Sequence, residues 1–221
     1  MIQVQHYQSI LQKTQEHQAQ LVAVSKTKPK EAVQALYDLG QRAFGENKVQ
    51  ELVEKFEALP KDIHWHLIGS LQRNKVKYIA SFVHLIHSVD SLRLLKEINK
   101  QAAKEGRVID ALLQFHIGQE ATKSGLRMEE ATALLENEDY KAMQHIRLVG
   151  VMGMASFTSD QAQVQQEFEQ LQGYFQALQT HYFSAETSFK ELSMGMSGDY
   201  ELALEAGSTM VRVGSLLFGA R

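Results

Sequence analysis

A lysine at the end of a short apolar run is the residue of this chain best placed for covalent chemistry. Residues 21–25 are long enough for one buried strand, Lys26 follows them, and Pro29 closes the turn. Partial desolvation at the mouth of a buried strand favours the uncharged, nucleophilic form of an amine, as a Schiff-base or general-base lysine requires. The alternative is a solvated loop lysine, which is how we interpret Lys28 and Lys30.

Two loops of small residues near the end of the chain could hold an anion. Gly195, Ser197 and Gly198 precede a predicted helix, and Gly214 and Ser215 precede a short apolar turn. Small residues let backbone N–H groups approach an anion, and a helix start adds a favourable dipole. Ordinary turn glycines are the alternative. The chain has no G-x-x-x-x-G-K-[ST] motif, which excludes a P-loop.

Arg212 lies in the predicted last strand, where alternation puts it on one face with Met210. A guanidinium that faces the interior of a sheet is costly unless it meets an anion or a hydrogen-bond acceptor. A bound ligand could supply that acceptor. The alternative is an outward arginine paired with an acid such as Glu205.

Together, the lysine, the anion loops and the arginine suggest a phosphorylated aldehyde held as a Schiff base on Lys26. Pyridoxal 5′-phosphate (PLP) meets that demand. A zinc site can be imagined from the four histidines of residues 64–87, but no pattern makes three ligands converge, so we predict no metal. No G-x-S-x-G elbow is present either.

The composition excludes several other classes of protein. The chain has 221 residues, 44% of them hydrophobic, a net charge of −3 and no cysteine, which excludes disulfides, thiolate metal sites and cysteine nucleophiles. No basic block supports a nucleic-acid or membrane-surface partner. The sequence begins with no signal-like segment and contains no apolar run of about 18 residues, so we expect a cytoplasmic location.

Hydrophobic periodicity predicts strands that alternate with helices. The strand patterns lie at 21–25, 42–44, 63–68, 83–87, 109–116, 146–152, 190–193 and 210–213. Helical patterns include 2–19, 31–39, 91–105, 160–180 and 198–206. This alternation predicts a parallel sheet, and eight units at this length favour a single-domain (β/α)8 barrel over residues 1–221, with one extra N-terminal helix. A doubly wound open sheet is the alternative.

In such a barrel, the residues that follow the strands form the active-site rim. Lys26, Asn47, Ser197, Gly214 and Ser215 all follow predicted strands, so polar and small residues collect at one end. That concentration is what a ligand site predicts.

These residues lie in motifs that resemble the YggS/PROSC family of pyridoxal phosphate homeostasis proteins. The motifs, in order, are VAVSKTKP (22–29), FGENKVQE (44–51), WHLIGSLQRNK (65–75), KSG (123–125), LSMGMS (192–197), GSTMVRVG (207–214) and FGAR (218–221). They cover essentially the whole chain, and so many in one order are very improbable by chance.

The resemblance implies a barrel similar to the N-terminal domain of alanine racemase, with PLP as its cofactor. It also implies a role for each residue: Lys26 carries PLP as an internal aldimine, Ser197, Gly214 and Ser215 hold its phosphate, Arg212 faces the pyridine nitrogen, Asn47 and Met194 line the pocket, and His66 lies nearby. The sequence departs from the family pattern at Ser70 and at His116-Ile117-Gly118. The second departure puts the pocket wall from strand 5 in doubt.

The same residues favour binding over catalysis. An arginine at the pyridine nitrogen makes the ring a poorer electron sink, and racemisation needs a second base, which racemases of this class draw from a second domain and a partner subunit. We therefore expect a protein that buffers PLP and delivers it to PLP-dependent apo-enzymes, with no catalytic residue. No large apolar surface stripe in the sequence indicates an obligate assembly, so we expect a monomer. A weak PLP-dependent amino-acid racemase or lyase and a Schiff-base aldolase are the alternatives.

Overall fold

The computed structural model describes residues 2–119 and 124–219. Lys123 of the KSG motif, and Ala220 and Arg221 of the FGAR motif, lie outside the described residues. Within them, parallel strands form a closed barrel in chain order. The strands are β1 (Gln20–Val24), β2 (Ala43–Glu46), β3 (His64–Leu67), β4 (Leu85–Val89), β5 (Ile109–Phe115), β6 (Ile146–Gly153), β7 (Glu191–Ser193) and β8 (Met210–Val213).

Helices connect the strands and cover the outside of the barrel. They are α1 (Val4–Glu16), α2 (Lys30–Asp38), α3 (Val49–Ala58), a 3₁₀ helix (Arg73–Tyr78), α4 (Leu92–Lys104), α5 (Met128–Glu136), α6 (Glu138–Lys141), α7 (Gln161–Tyr182), α8 (Tyr200–Glu205) and α9 (Ser215–Phe218). The longer helices bury one apolar stripe at helical spacing. In α4, for example, Leu94, Leu95, Ile98 and Ala102 are buried.

Strand alternation divides the apolar residues into two groups. The smaller group fills the barrel interior and consists of Val22, Ala43, Leu85, Leu112, Val149, Met152 and Met210. The larger group, with Phe44, Trp65 and Phe115 among its members, lies between the strands and the helices. A residue's position in its strand therefore decides whether its side chain reaches the interior.

The predicted barrel is confirmed, and the open-sheet alternative is wrong because β1 pairs with β8, with Val22 opposite Arg212. The bounds of the fourth strand differ, since 83–87 was predicted and β4 is Leu85–Val89. At the first end, the Val83 carbonyl accepts a hydrogen bond from Arg107 Nη2 (2.9 Å), and this carbonyl therefore contacts a side chain. At the other end, Val89 pairs with Leu113 of β5 and extends the strand.

Among the described residues, no helix combines the length and the hydrophobicity that a membrane crossing requires.

Candidate functional site

Lys26 lies at the carboxyl-end rim of the barrel, two residues beyond β1. Its position continues the inward face of Val22, and its side chain is half-buried. The Lys28 backbone N–H donates to the Ser25 carbonyl (3.0 Å), which closes the turn. The β1 turn therefore holds Lys26 where the sequence predicted it.

A buried ion pair fixes the residue before Lys26. The Ser25 hydroxyl donates to Glu46 Oε1 (2.6 Å), and Lys55 Nζ donates both to Glu46 Oε1 (2.6 Å) and to the Ser25 carbonyl (2.7 Å). Ser25 and Glu46 are fully buried, and Lys55 is 5% exposed. Burial raises the pKa of Glu46, while the Lys55 charge and the hydrogen bonds from Lys55 and Ser25 lower it. Three buried groups thus share one small polar cluster.

The residue after Lys26 is held by the same cluster. Glu51 Oε1 accepts hydrogen bonds from the Thr27 backbone N–H (2.5 Å) and from Lys55 Nζ (2.9 Å). Thr27 has a φ of +64°, in the left-handed region that β-branched residues rarely adopt. The lysine is thus flanked on both sides by residues that Lys55 connects.

The two predicted anion loops meet at the rim. The Gly214 backbone N–H donates to the Ser197 hydroxyl (3.2 Å), and Ser215 starts α9 with an exposed side chain. A Cβ atom at Gly214 would lie 3.0 Å from the Val24 carbonyl oxygen, so the β8 loop passes directly against the end of β1. Ser197, Gly214 and Ser215 are therefore on the Lys26 side of the barrel.

Asn47 follows β2 at the same rim and is half-buried. A Cβ atom at Gly69 would lie 2.4 Å from the Asn47 carbonyl oxygen, so the chain after β3 packs directly on the Asn47 backbone. Of the departures from the family pattern, Ser70 is exposed, and His116 is half-buried directly after β5.

Arg212 points into the barrel and is buried. Its Nη1 donates to the Ser193 hydroxyl (2.6 Å) and its Nη2 to the Gly153 carbonyl (2.9 Å). Burial lowers the pKa of Arg212 to about 10, against an opposing effect of the Asp199 charge, so the guanidinium stays protonated at neutral pH. The outward orientation with Glu205 as partner is wrong, since both contacts lie inside the barrel.

His66 lies deeper in the interior than the rim residues. Its Nδ1 is 2.9 Å from His87 Nε2, and His87 Nδ1 is 3.0 Å from the Ser193 hydroxyl. Burial lowers the pKa of both histidines well below the usual value, and neighbouring charges on His84 and His64 or on Arg212 act in the same direction. Within the described residues, no group of three histidine, aspartate or glutamate side chains could hold a metal ion.

Met194 does not join these residues. It is fully buried, and its side chain belongs to the apolar layer between strands and helices. Ser193, one position earlier, faces the interior instead. The alternation that continues from β7 turns the Met194 side chain outward. Its role as a pocket wall stays a prediction.

The sequence analysis gave no supporting role to several residues that the structure brings to the site: Ser25, Glu46, Glu51, Lys55, His87 and Ser193. The spacing of Glu51 and Lys55 at i and i+4 on α3 was the only local signal among them. Lys28 was expected to be a solvated loop lysine, but its Nζ donates to the carbonyls of Phe218 (3.3 Å) and Gly219 (3.0 Å). That expectation was wrong, because the C-terminal end of α9 lies beside the β1 turn.

The chain is similar to known proteins over most of its length. A family model described as alanine racemase, N-terminal domain, matches residues 3–221. A pyridoxal phosphate homeostasis protein of Aquifex aeolicus is 40% identical over 207 residues, which are 93% of this chain and 89% of the relative. A protein of the same description from Escherichia coli K12 is 38% identical over 209 residues, 91% of this chain and 85% of the relative.

Solved structures give the same relationship. PipY of Synechococcus elongatus, solved with PLP bound, has a TM-score of 0.82 and 36% identity over 91% of this chain and 93% of that chain. The alanine racemase of Clostridium difficile has a TM-score of 0.69 at 14% identity, and the match covers 96% of this chain but 55% of the racemase. At that identity, the racemase shows a shared fold only.

Proposed function

The chain belongs to the family of pyridoxal phosphate homeostasis proteins, and from that premise we propose that it binds PLP covalently through Lys26 for homeostasis of vitamin B6. The single observation that carries the proposal is the placement of Lys26 at one rim with the Ser197–Gly214 contact and the inward Arg212. PipY, the relative solved with PLP bound, supports the choice of cofactor.

The residues of the rim fit PLP in chemical type. Hydroxyl groups of Ser197 and Ser215, with the backbone N–H groups at the start of α9, are donors of the kind that phosphate oxygens accept. A Cβ atom at Gly214 would make a tight contact of 3.0 Å with the Val24 carbonyl oxygen, so the loop backbone lies directly beside β1. A protonated guanidinium suits the pyridine nitrogen, which accepts hydrogen bonds.

Each group then has a distinct task in binding. When bound, PLP supplies an aldehyde that condenses with the Lys26 amine and releases water. The Ser25–Glu46–Lys55 cluster keeps the β1 turn in place, so that the Lys26 side chain leaves the turn in one direction. Ser197, Gly214 and Ser215 orient the phosphate, and Asn47 lines the side of the pocket from β2.

Arg212 supports binding over catalysis. With a pKa of about 10 it remains a cation at neutral pH, and it donates to the ring nitrogen without giving up its proton. A ring nitrogen that stays unprotonated stabilises a substrate carbanion poorly. We therefore infer that the chain stores and delivers PLP without robust turnover.

The absorbance spectrum of the protein with PLP, beside those of Lys26→Ala and Lys30→Ala, tests covalent binding. We expect a yellow wild-type protein whose adduct is fixed by borohydride and maps to Lys26, and a Lys26→Ala protein with neither property. Lys30→Ala is the matched control, because Lys30 is exposed at the start of α2. A wild-type protein without an adduct at Lys26 would contradict the proposal.

Incubation of the PLP-loaded protein with single amino acids in deuterated water tests the absence of catalysis. We expect no exchange of the α-proton above that of free PLP. Exchange at enzyme-like rates would overturn the non-catalytic proposal and favour a racemase or lyase.

The remaining proposals concern partners and organisation. We propose one PLP-binding domain over residues 1–221, which acts as a monomer and passes PLP to apo-enzymes. Light scattering of the purified chain tests the monomer, and activation of a PLP-dependent apo-enzyme by the loaded chain tests delivery. The cytoplasmic location stays a prediction.

A further inference from the structure

A chain of buried polar side chains crosses the barrel interior beneath Arg212. Arg212 Nη1 is 2.6 Å from the Ser193 hydroxyl, that hydroxyl is 3.0 Å from His87 Nδ1, and His87 Nε2 is 2.9 Å from His66 Nδ1. The four residues come from β8, β7, β4 and β3, and none is more than 4% exposed. Since β4 and β8 lie half a turn of the barrel apart, the chain connects opposite walls.

Arginine fixes the direction of these hydrogen bonds, because a guanidinium can only donate. The Ser193 oxygen therefore accepts from Arg212, and within the described residues its hydroxyl has one acceptor in reach, His87 Nδ1. Burial keeps His87 neutral, so a ring that accepts at Nδ1 carries its proton on Nε2. The same logic makes His66 Nδ1 an acceptor and puts the proton of His66 on Nε2.

The opposite direction leaves groups unsatisfied. If His87 donated from Nδ1, the Ser193 hydroxyl would have no acceptor in the part of the chain that the structure describes. A buried donor without an acceptor costs about 1–3 kcal/mol. One direction thus satisfies every hydrogen between Arg212 and His66.

The series of hydrogen-bonded side chains ends at His66, toward the other mouth of the barrel. His66 lines a cavity of about 380 Å³ with residues from the starts of the strands, among them Leu85 and Met210. Its Nε2 has no hydrogen-bond partner among the described residues. Because Nδ1 is engaged with His87, this direction leaves one buried donor, the Nε2–H group, without a partner among the described residues, whereas the opposite direction leaves two groups unpaired, the Ser193 hydroxyl and His66 Nε2.

We propose that His87 and His66 are positioning residues for Arg212: through Ser193 they fix the plane of its guanidinium at the rim. The Gly153 carbonyl holds Nη2 and Ser193 holds Nη1, so the two contacts together determine how the cation faces the ligand. The proposal rests on the proposed function, in which Arg212 donates to the ring nitrogen of PLP. Neither histidine touches the cofactor in this arrangement.

Variants of His87 test the proposal through PLP affinity. A leucine removes the acceptor for Ser193, and we expect His87→Leu to bind PLP about tenfold more weakly, the net contribution of one hydrogen bond. A glutamine can accept through its carbonyl and donate through its amide, so His87→Gln should restore most of the affinity. His6→Gln is the matched control, because His6 is exposed on α1, outside the barrel interior.

Nitrogen NMR of the protein without PLP tests the hydrogen-bond direction by itself. We expect His66 and His87 to be neutral, with the proton on Nε2, and Ser193→Ala to change the signals of His87 first. A proton on Nδ1 of either histidine would overturn the direction. This measurement also stands if His87→Leu fails to fold.

The outcomes separate the two proposals. If neither wild type nor any variant binds PLP, the proposed function fails. The NMR result then still decides the direction of the hydrogen bonds between Arg212 and His66. If wild type binds PLP and a folded His87→Leu or Ser193→Ala binds it equally well, the positioning role is wrong and the proposed function stands.

Discussion

At the scale of single residues, the neighbours of Lys26 matter as much as the lysine itself. Ser25 and Thr27 are both held by acids that Lys55 contacts, and Thr27 adopts a left-handed backbone conformation. Such a conformation persists only where surrounding contacts enforce it. The buried Lys55 therefore supports the turn that carries Lys26.

The first prediction concerns Lys55→Met, which leaves the carboxylate of Glu46 buried without its cation. We expect the free energy of unfolding in urea to fall by about 3–5 kcal/mol, the usual result of breaking a buried ion pair on one side. In the double variant Lys55→Met with Glu46→Leu, most of that loss should be recovered, because no buried charge remains. A single variant as stable as wild type would contradict the assigned role of the pair.

At the scale of elements, the rim is assembled by close contacts between loop backbones. Gly69 after β3 packs on the Asn47 carbonyl after β2, and Gly214 after β8 packs on Val24 of β1. A side chain at Gly69 would require one of the two backbones to shift, and a Cβ atom at Gly214 would make a tight contact of 3.0 Å with the Val24 carbonyl oxygen. Helix glycines lack this constraint, since Gly173 of α7 has open space around it.

The second prediction compares Gly69→Ala with Gly173→Ala. The added Cβ at Gly69 would lie 2.4 Å from backbone oxygen, so we expect a loss of about 1–3 kcal/mol in the free energy of unfolding and weaker PLP binding. Gly173→Ala should instead gain about 0.5–1 kcal/mol, because alanine favours the helix. Equal effects of both variants would show that the rim tolerates a wider loop spacing.

At the scale of the whole molecule, the closed barrel buries histidines that would titrate in the unfolded chain. His66 and His87 lie inside, where burial holds their pKa values well below 6.5, and the groups that face them are His64, His84 and Arg212. Unfolded histidines take up protons near pH 6.5, whereas these two stay neutral in the fold. Acidification through that range therefore favours the unfolded state.

The third prediction follows from this linkage. We expect the free energy of unfolding to decrease as the pH falls from about 7 to about 5, and the decrease to be smaller in His87→Gln. Carboxylates such as Glu130 and Glu201, whose pKa values are lowered, respond below this range. Glu46 has a raised pKa and acts in the opposite direction. The quantity to measure is therefore the difference in the free energy of unfolding between wild type and His87→Gln at each pH. Identical pH profiles would contradict the neutral state of His87.

The periodicity of the sequence was sufficient to predict the barrel, and the loops after strands 1, 7 and 8 were sufficient to predict that Lys26, Ser197, Gly214 and Ser215 lie at one rim. Both depend on local patterns: alternation sets the face of a strand, and small residues mark loops. The direction of Arg212 was predicted with an alternative, which its contacts with Ser193 and Gly153 removed.

The tertiary structure alone decided which distant side chains meet. Ser193 and His87 are 106 positions apart, and the register that joins them depends on barrel closure and on shifts within the pairs of β4, β5 and β6. The Lys55–Glu46 pair likewise depends on how α3 packs on β2. The sequence by itself determined where the lysine and the anion loops lie, because those are properties of short segments. The partners that orient the lysine and the arginine were decided by packing, because they come from strands and helices that only the closed barrel brings together.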